Sequence, residues 1–193
     1  CALPISGADG RELGPRLNLG LTWTRHDPAG WTLGVTAGRV FRADDLGQFS
    51  TASGLDGTSS DWLVAAHLAT PDGLRAMNRM TFDDSLDVSR EELLLGYDGG
   101  RYDLTAGYLW LVADPAENRF QPTSELVFDA GWEMGTNWRG SFTGRYDFEA
   151  ARATRAALGV AWRTDCATVD LSLSRRFTTS TSVKADTDIN LSV

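Results

Sequence analysis

Five arginines in the C-terminal third of the chain, Arg139, Arg145, Arg155, Arg163 and Arg176, are the residues best equipped to bind something. A guanidinium presents a planar fork of N–H donors that matches the oxygens of a phosphate or carboxylate, so these side chains offer bidentate contacts to an anionic ligand. Glu133, Asp147 and Asp170 lie close in sequence, and mutual neutralisation is the competing use for the same arginines. Cys166 is the other reactive group. Cys1 is the only second cysteine, and nothing in the sequence brings the two together. At the first position Cys1 is either an acylated lipoprotein residue or a processing scar. His26 and His67 are isolated and form no metal-ligand set. Asp186 and Asp188 lack the Gly and Glu that would close a calcium loop. No G-x-S-x-G, P-loop or H-E-x-x-H is present, so no catalytic residue, cofactor or metal is expected, and an enzyme is the weakest functional class.

What must position the arginines is a series of strands. Apolar residues recur at every second position along most of the chain, the signature of β-structure with two unlike faces. Eleven strands are predicted: 16–26, 31–42, 61–70, 74–84, 90–97, 101–112, 124–134, 138–147, 153–163, 166–177 and 187–193. In 138–147, Trp138, Phe142 and Tyr146 alternate with Arg139, Ser141, Thr143, Arg145 and Asp147. In 30–42, Trp31, Leu33, Val35 and Ala37 alternate with Thr32, Gly34, Thr36 and Gly38.

The connections carry more information than the strands. Tight turns (27–30, 70–73, 98–100, 135–137, 164–165) alternate with longer loops (43–60, 85–89, 113–123, 148–152, 178–186). That is the pattern of an antiparallel up-and-down transmembrane β-barrel, with short turns on the periplasmic side and longer loops outside. Two hairpin registers sort polarity cleanly. A two-residue turn at Thr164–Asp165 sets Trp162 opposite Ala167 and Val160 opposite Val169, and across 135–137 Trp132 meets Gly140 while Glu133 meets Arg139. Trp23, Trp31, Tyr97, Tyr102, Trp132, Trp138 and Trp162 gather near the short turns, and Phe41, Trp62, Tyr108, Trp110, Tyr146 and Phe177 near the longer loops. Two such belts suit rings held at the two headgroup levels of a bilayer. On this reading the apolar face meets lipid, while Arg139, Arg145, Arg155, Asp129 and Asp170 share the face that lines a polar lumen.

The bulk numbers agree. With a net charge of −8, 42% hydrophobic and 23% charged residues, the composition is that of a folded chain and disfavours nucleic acid as a partner. No run of about 18 apolar residues forms a transmembrane helix, and no signal peptide is visible, which makes the chain a mature form or a fragment. A lone thiol beside a periplasmic turn, in an oxidising compartment, implies a disulfide partner elsewhere.

With the strands in order, "GWTLGVTAGRVFR" (30–42), "SGLDGTSSDWLVAA" (53–66), "FDDSLDVSREELLLGY" (82–97), "GYLWL" (107–111), "SELVFDAGWEMGTNWRGSFTGRYDFEAAR" (124–152) and "TDCATVDLSLSRRFTTSTSVKADTDINL" (164–191) become recognisable. They resemble the C-terminal barrel of the LptD family of outer-membrane lipopolysaccharide-assembly proteins, in its alphaproteobacterial form. The resemblance runs over residues 14–193 and leaves residues 1–13 as a disordered or non-native segment. It implies a barrel of about 26 strands, of which these would be the last eleven or so. It further implies an LptE-type lipoprotein plug, a periplasmic domain fed by an LptA-type bridge, and a lateral opening through which lipopolysaccharide enters the outer leaflet. By position, Cys166 corresponds to a cysteine bonded to the periplasmic domain, and Asp188, Ile189, Asn190, Leu191, Ser192 and Val193 to the last strand at the opening. Family members often carry adjacent cysteines where this chain has one, which leaves the number of bridges open. A porin-like diffusion channel, another outer-membrane barrel, or a soluble all-β binding module are the alternatives.

Overall fold

A computed structural model describes residues 13–177 and 185–192. Eleven antiparallel strands form a single sheet whose spatial order is the chain order. They are β1 (Arg16–His26), β2 (Thr32–Arg42), β3 (Trp62–Ala69), β4 (Leu74–Phe82), β5 (Val88–Asp98), β6 (Tyr102–Leu111), β7 (Thr123–Glu133), β8 (Trp138–Asp147), β9 (Arg152–Arg163), β10 (Thr168–Arg176) and β11 (Asp186–Ser192). The only helical pieces among the described residues are single 3-10 turns at Thr51–Ser53 and Pro115–Glu117. Cys1 and Val193 lie outside the described residues, as does the segment 1–13 apart from Leu13, whose amide donates to Gln48 Oε1 at 2.8 Å.

The sheet is open: the eleven strands do not close on themselves. Among the described residues β1 and β11 each pair on one side only. Both are odd-numbered in an alternating meander and run in the same direction, so joining them would need a parallel ladder.

The register sorts the two faces. One carries Leu17, Leu19, Leu21 and Trp23 beside Phe41, Ala37 and Val35, and continues at the other edge through Leu158, Val160 and Trp162 to Leu173, Leu171 and Val169, then Ile189 and Leu191. Every aromatic of both expected belts that lies in a strand falls on this face. The opposite face carries Thr22, Thr36, Thr105, Asp129, Thr143 and Ser172. Among the described residues Ala161 is the only buried hydrophobic one, whereas Leu21 is 76% and Ile189 72% exposed. A water-soluble β domain buries its apolar face against a second layer. This sheet has none, and its apolar face is far larger than a soluble monomer leaves bare.

Glycine lets the aromatics lie flat on that face. The indole of Trp132 sits over Gly140, where a Cβ would overlap the ring.

Three expectations need correction. The β9–β10 turn is Thr164–Ala167, closed by the Thr164 amide on the Ala167 carbonyl at 2.8 Å, so Val169 faces Trp162 and Leu171 faces Val160. A two-residue hairpin wants Gly, Asn or Asp at φ > 0 in both central positions, and neither Thr164 nor Asp165 adopts one. The slip is two residues, so the faces survive it. Secondly, tight and long connections do not strictly alternate: 83–87 and 148–151 are as short as the turns at the other end. Asp83 tightens the first by accepting the amides of Ser85 (2.8 Å) and Asp87 (2.9 Å). Thirdly, the apolar face is not free of charge. Arg25, Arg39, Glu91 and Arg175 share its parity, as does Asn78, which donates to Glu91 at 3.3 Å.

Candidate functional site

The polar face holds all five predicted arginines, and the structure gives them different surroundings. Arg139 opens β8 beside the 134–137 turn. It donates to Glu133 at 2.6 Å on the neighbouring strand β7 and also pairs with Asp103 on β6, one strand further. The longer reach is allowed by Gly131, which lies between them on β7, where a Cβ would collide with the Arg139 guanidinium and the Asp103 carboxylate. Neutralisation by Glu133 is the use the sequence offered for this arginine. Asp103 escaped it because the contact depends on two successive hairpin registers. Arg163 ends β9 at the same side of the sheet, in register with Thr168, and makes no ion pair with a described residue.

Toward the other end of the sheet Arg145, Arg155 and Arg176 stand in one row. Arg145 on β8 is in register with Arg155 on β9, and Arg155 with Arg176 on β10. Directly opposed side chains have Cβ atoms about 5 Å apart, a spacing at which like charges repel. Val127 borders the row on β7 and Asp186 on β11. None of the three makes an ion pair with a described residue, although Asp147 is two positions from Arg145 and Asp186 faces Arg176. The row bounds a hollow of about 270 Å³ shared with Thr143, Thr154 and Val127. A bulge between Arg145 and Tyr146 makes Thr154 the extra residue of β9, bending the ladder at the row. The expected pairing with Asp147 and Asp170 does not occur.

Several other arginines are matched. Arg39 holds Asp84 at 2.7 Å and lies over the Trp62 ring at 5.3 Å, Arg79 and Arg90 share Glu92, and Arg25 meets Asp27 at 2.9 Å. The Arg39 guanidinium holds the Asp84 carboxyl below its ordinary range. Arg39 and Asp84 were missed in the sequence because the pair bridges β2 and the 83–87 turn across β3 and β4.

Above the row's end of the sheet, the 43–61 connection reaches the 112–122 connection. Ser50 donates to Asp114 Oδ2 at 2.6 Å, and Asp114, 2% exposed, also accepts the Ala116 amide at 3.0 Å. The Ser50 hydroxyl bond, ahead of these amides and nearby Arg119, holds the Asp114 carboxyl below its ordinary range. A hollow of about 350 Å³ beneath this tie is lined by Phe49, Arg90, Leu111 and Arg119 among others.

Cys166 is an exposed free thiol in the 164–167 turn, two residues before β10 begins, where the strand was expected to start at 166. In β11, Ile189 and Leu191 continue the apolar face opposite Leu173 and Leu171, while Asp188, Asn190 and Ser192 lie opposite Ser174, Ser172 and Asp170. The far side of β11 is unpaired among the described residues.

The described residues bring no nucleophile, base and oxyanion donors together. The arrangement is a wall with one apolar and one polar face and anion-binding capacity concentrated in a single row. A comparison with curated proteins finds no match. The family model described as "LptD: LPS transport system D" matches residues 5–138, the stretch that runs through β1–β7 into β8. Cys166, β11 and the arginine row lie beyond it. The match spans well over half of the chain, which therefore belongs to the LptD family of lipopolysaccharide transport, an outer-membrane component.

Proposed function

We propose that this sheet is part of the wall of an outer-membrane barrel that delivers lipopolysaccharide to the outer leaflet. Its apolar face meets the acyl chains and its polar face meets the lumen. The observation that carries this reading is the single layer without a core, whose exposed apolar face has aromatic residues at both ends. Strands beyond these eleven complete the barrel, since each edge is a row of unpaired backbone groups that cannot remain unsatisfied in lipid. The 27–31, 70–73, 99–101, 134–137 and 164–167 turns face the periplasm, and the 43–61 and 112–122 loops face outward.

β11 borders the seam through which the lipid leaves, its apolar Ile189 and Leu191 turned to the membrane and Asp188, Asn190 and Ser192 to the lumen. An LptE-type plug fills the lumen, an LptA-type bridge supplies cargo through a periplasmic domain, and Cys166 is bonded to that domain. The step is movement of a lipid without covalent chemistry.

The test is paired substitution on the two faces. Arg or Lys on the lipid face at the bilayer midplane costs about 2–4 kcal/mol, and on the lumen face much less. Leu171→Arg should abolish or sharply reduce assembly into the outer membrane, while Ser172→Arg should leave it near normal. Equal effects would remove the basis of the proposal. For the thiol, Cys166→Ser should change mobility on a non-reducing gel.

A further inference from the structure

We infer that Arg145, Arg155 and Arg176 form a binding site for a phosphate-class oxyanion, and that Arg139 and Arg163 are not part of it. The inference deepens the reading above and rests on it only for how a ligand reaches the polar face.

Register is the first ground. Three guanidinium groups on three successive strands occupy one row, Arg145 opposite Arg155 and Arg155 opposite Arg176. A row of like charges works against folding unless something else neutralises it. The second ground is contrast along one strand. Arg139 on β8 is held by two carboxylates, whereas Arg145, Arg155 and Arg176 have none within ion-pair distance among the described residues, although Asp186 faces Arg176. Other arginines, Arg75, Arg152 and Arg163 among them, are also without an ion pair to a described residue, and what sets these three apart is that register places them side by side. The connecting segment 178–184, TTSTSVK, contains no acid that could supply one. The third is space. The row borders a hollow of about 270 Å³, lined also by Thr154 and by Thr143, whose hydroxyl donates to Asp129 at 2.8 Å.

The chemistry of the ligand follows from the donors. Planar forks side by side on adjacent strands suit a tetrahedral oxyanion, which offers an oxygen pair to more than one fork; a single carboxylate satisfies only one fork in bidentate fashion. Val127 along one side gives the hollow an apolar border, so a phosphate carried on an alkyl chain fits as well as a free one.

The test is thermal unfolding of the full chain in a neutral detergent at constant ionic strength, with dodecyl phosphate in one arm and inorganic phosphate in the other. The expected result is a rise of several degrees in the unfolding midpoint with dodecyl phosphate. The combined R145Q/R155Q/R176Q variant should lose that rise and bind the probe at least ten-fold more weakly, while R139Q keeps it. Replacing the three with Lys should retain charge but lose most of the rise, because the fork is gone. Protection by inorganic phosphate at the same concentration would identify the source as free phosphate, and protection by the alkyl form alone a lipid headgroup. As a check that needs no variant to fold, the Nε–Hε resonances of Arg145, Arg155 and Arg176 should move together on titration while those of Arg139 and Arg39 stay put. Equal protection of the triple Gln variant, no protection of the unaltered chain by either probe, or unmoved resonances would overturn the inference. Those outcomes leave the two-face test of the barrel wall untouched, and failure of that test would leave phosphate protection standing.

Discussion

At one end of β8, Arg139 is clasped by Glu133 and Asp103; near the other end of the same strand, on the same face, Arg145 stands beside Arg155 and Arg176. Residue type, strand and parity are identical, and only the neighbours that register delivers differ. Toward the turns, Gly131 opens a gap through which an arginine reaches past one strand to a second acid. Toward the loops, register lines up three cations between Val127 on one side and Asp186 on the other, and Asp186 makes no ion pair with the Arg176 it faces. The first arrangement fastens three strands together and leaves nothing over for a ligand. The second adds repulsion to the folded state and keeps its donors available, a cost in stability that is typical of binding sites.

The contrast can be broken from either end. The largest effect is expected at the fastened one. Arg139→Gln leaves two carboxylates near each other with no cation, and for these half-exposed groups the loss should be about 1.5 kcal/mol, read as a lower urea midpoint in detergent and shrinking as salt is added. Gly131→Leu keeps all three charges but pushes the Arg139 and Asp103 side chains apart, so a loss of about 1 kcal/mol should appear in the same assay. At the open end the sign reverses: Arg155→Gln removes the middle cation and should raise stability by about 0.5 kcal/mol in phosphate-free buffer. A destabilised Arg155→Gln would mean that the row is matched after all.

The smallest effect concerns the loops at the row's end of the sheet. The folded-state pKa of Asp114 is depressed, so its contribution is fully present above its unfolded value of about 3.9 and is lost as pH falls through the lower folded value. Protection of the 43–61 loop in hydrogen exchange, corrected for intrinsic pH dependence, should therefore hold from neutrality to mild acid and fail only below that. Ser50→Ala removes the largest cause of the depression and should move the failure to higher pH.

The strands and their faces were legible in the sequence because alternation is a local property. Leu171 and Ser172 declare their sides from their immediate neighbours, and even the misread turn at 164–167 moved the register by two residues and left both residues where parity put them. The Glu133–Arg139 pair was legible for a related reason: a single tight turn fixes it. What failed to show is whatever depends on several registers at once. Asp103 reaches Arg139 through two hairpins, Arg39 reaches Asp84 across two intervening strands, and the tie between Ser50 and Asp114 joins two loops. The arginine row belongs with these. All three members were named from the sequence, but together with Arg139 and Arg163, because nothing short of the paired sheet distinguishes a lined-up cation from a neutralised one.

The central claim is that alternate side chains along these strands face hydrocarbon and a wet interior. Nitroxide labels at Leu19, Leu158 and Leu171, with Thr22 and Ser172 as their opposites, test it in membranes by collision with oxygen and with a water-soluble nickel complex. The three leucine sites should favour oxygen and exclude nickel, and the two polar sites should do the reverse. Nickel access at Leu19, Leu158 and Leu171 equal to that at Ser172 would contradict the account.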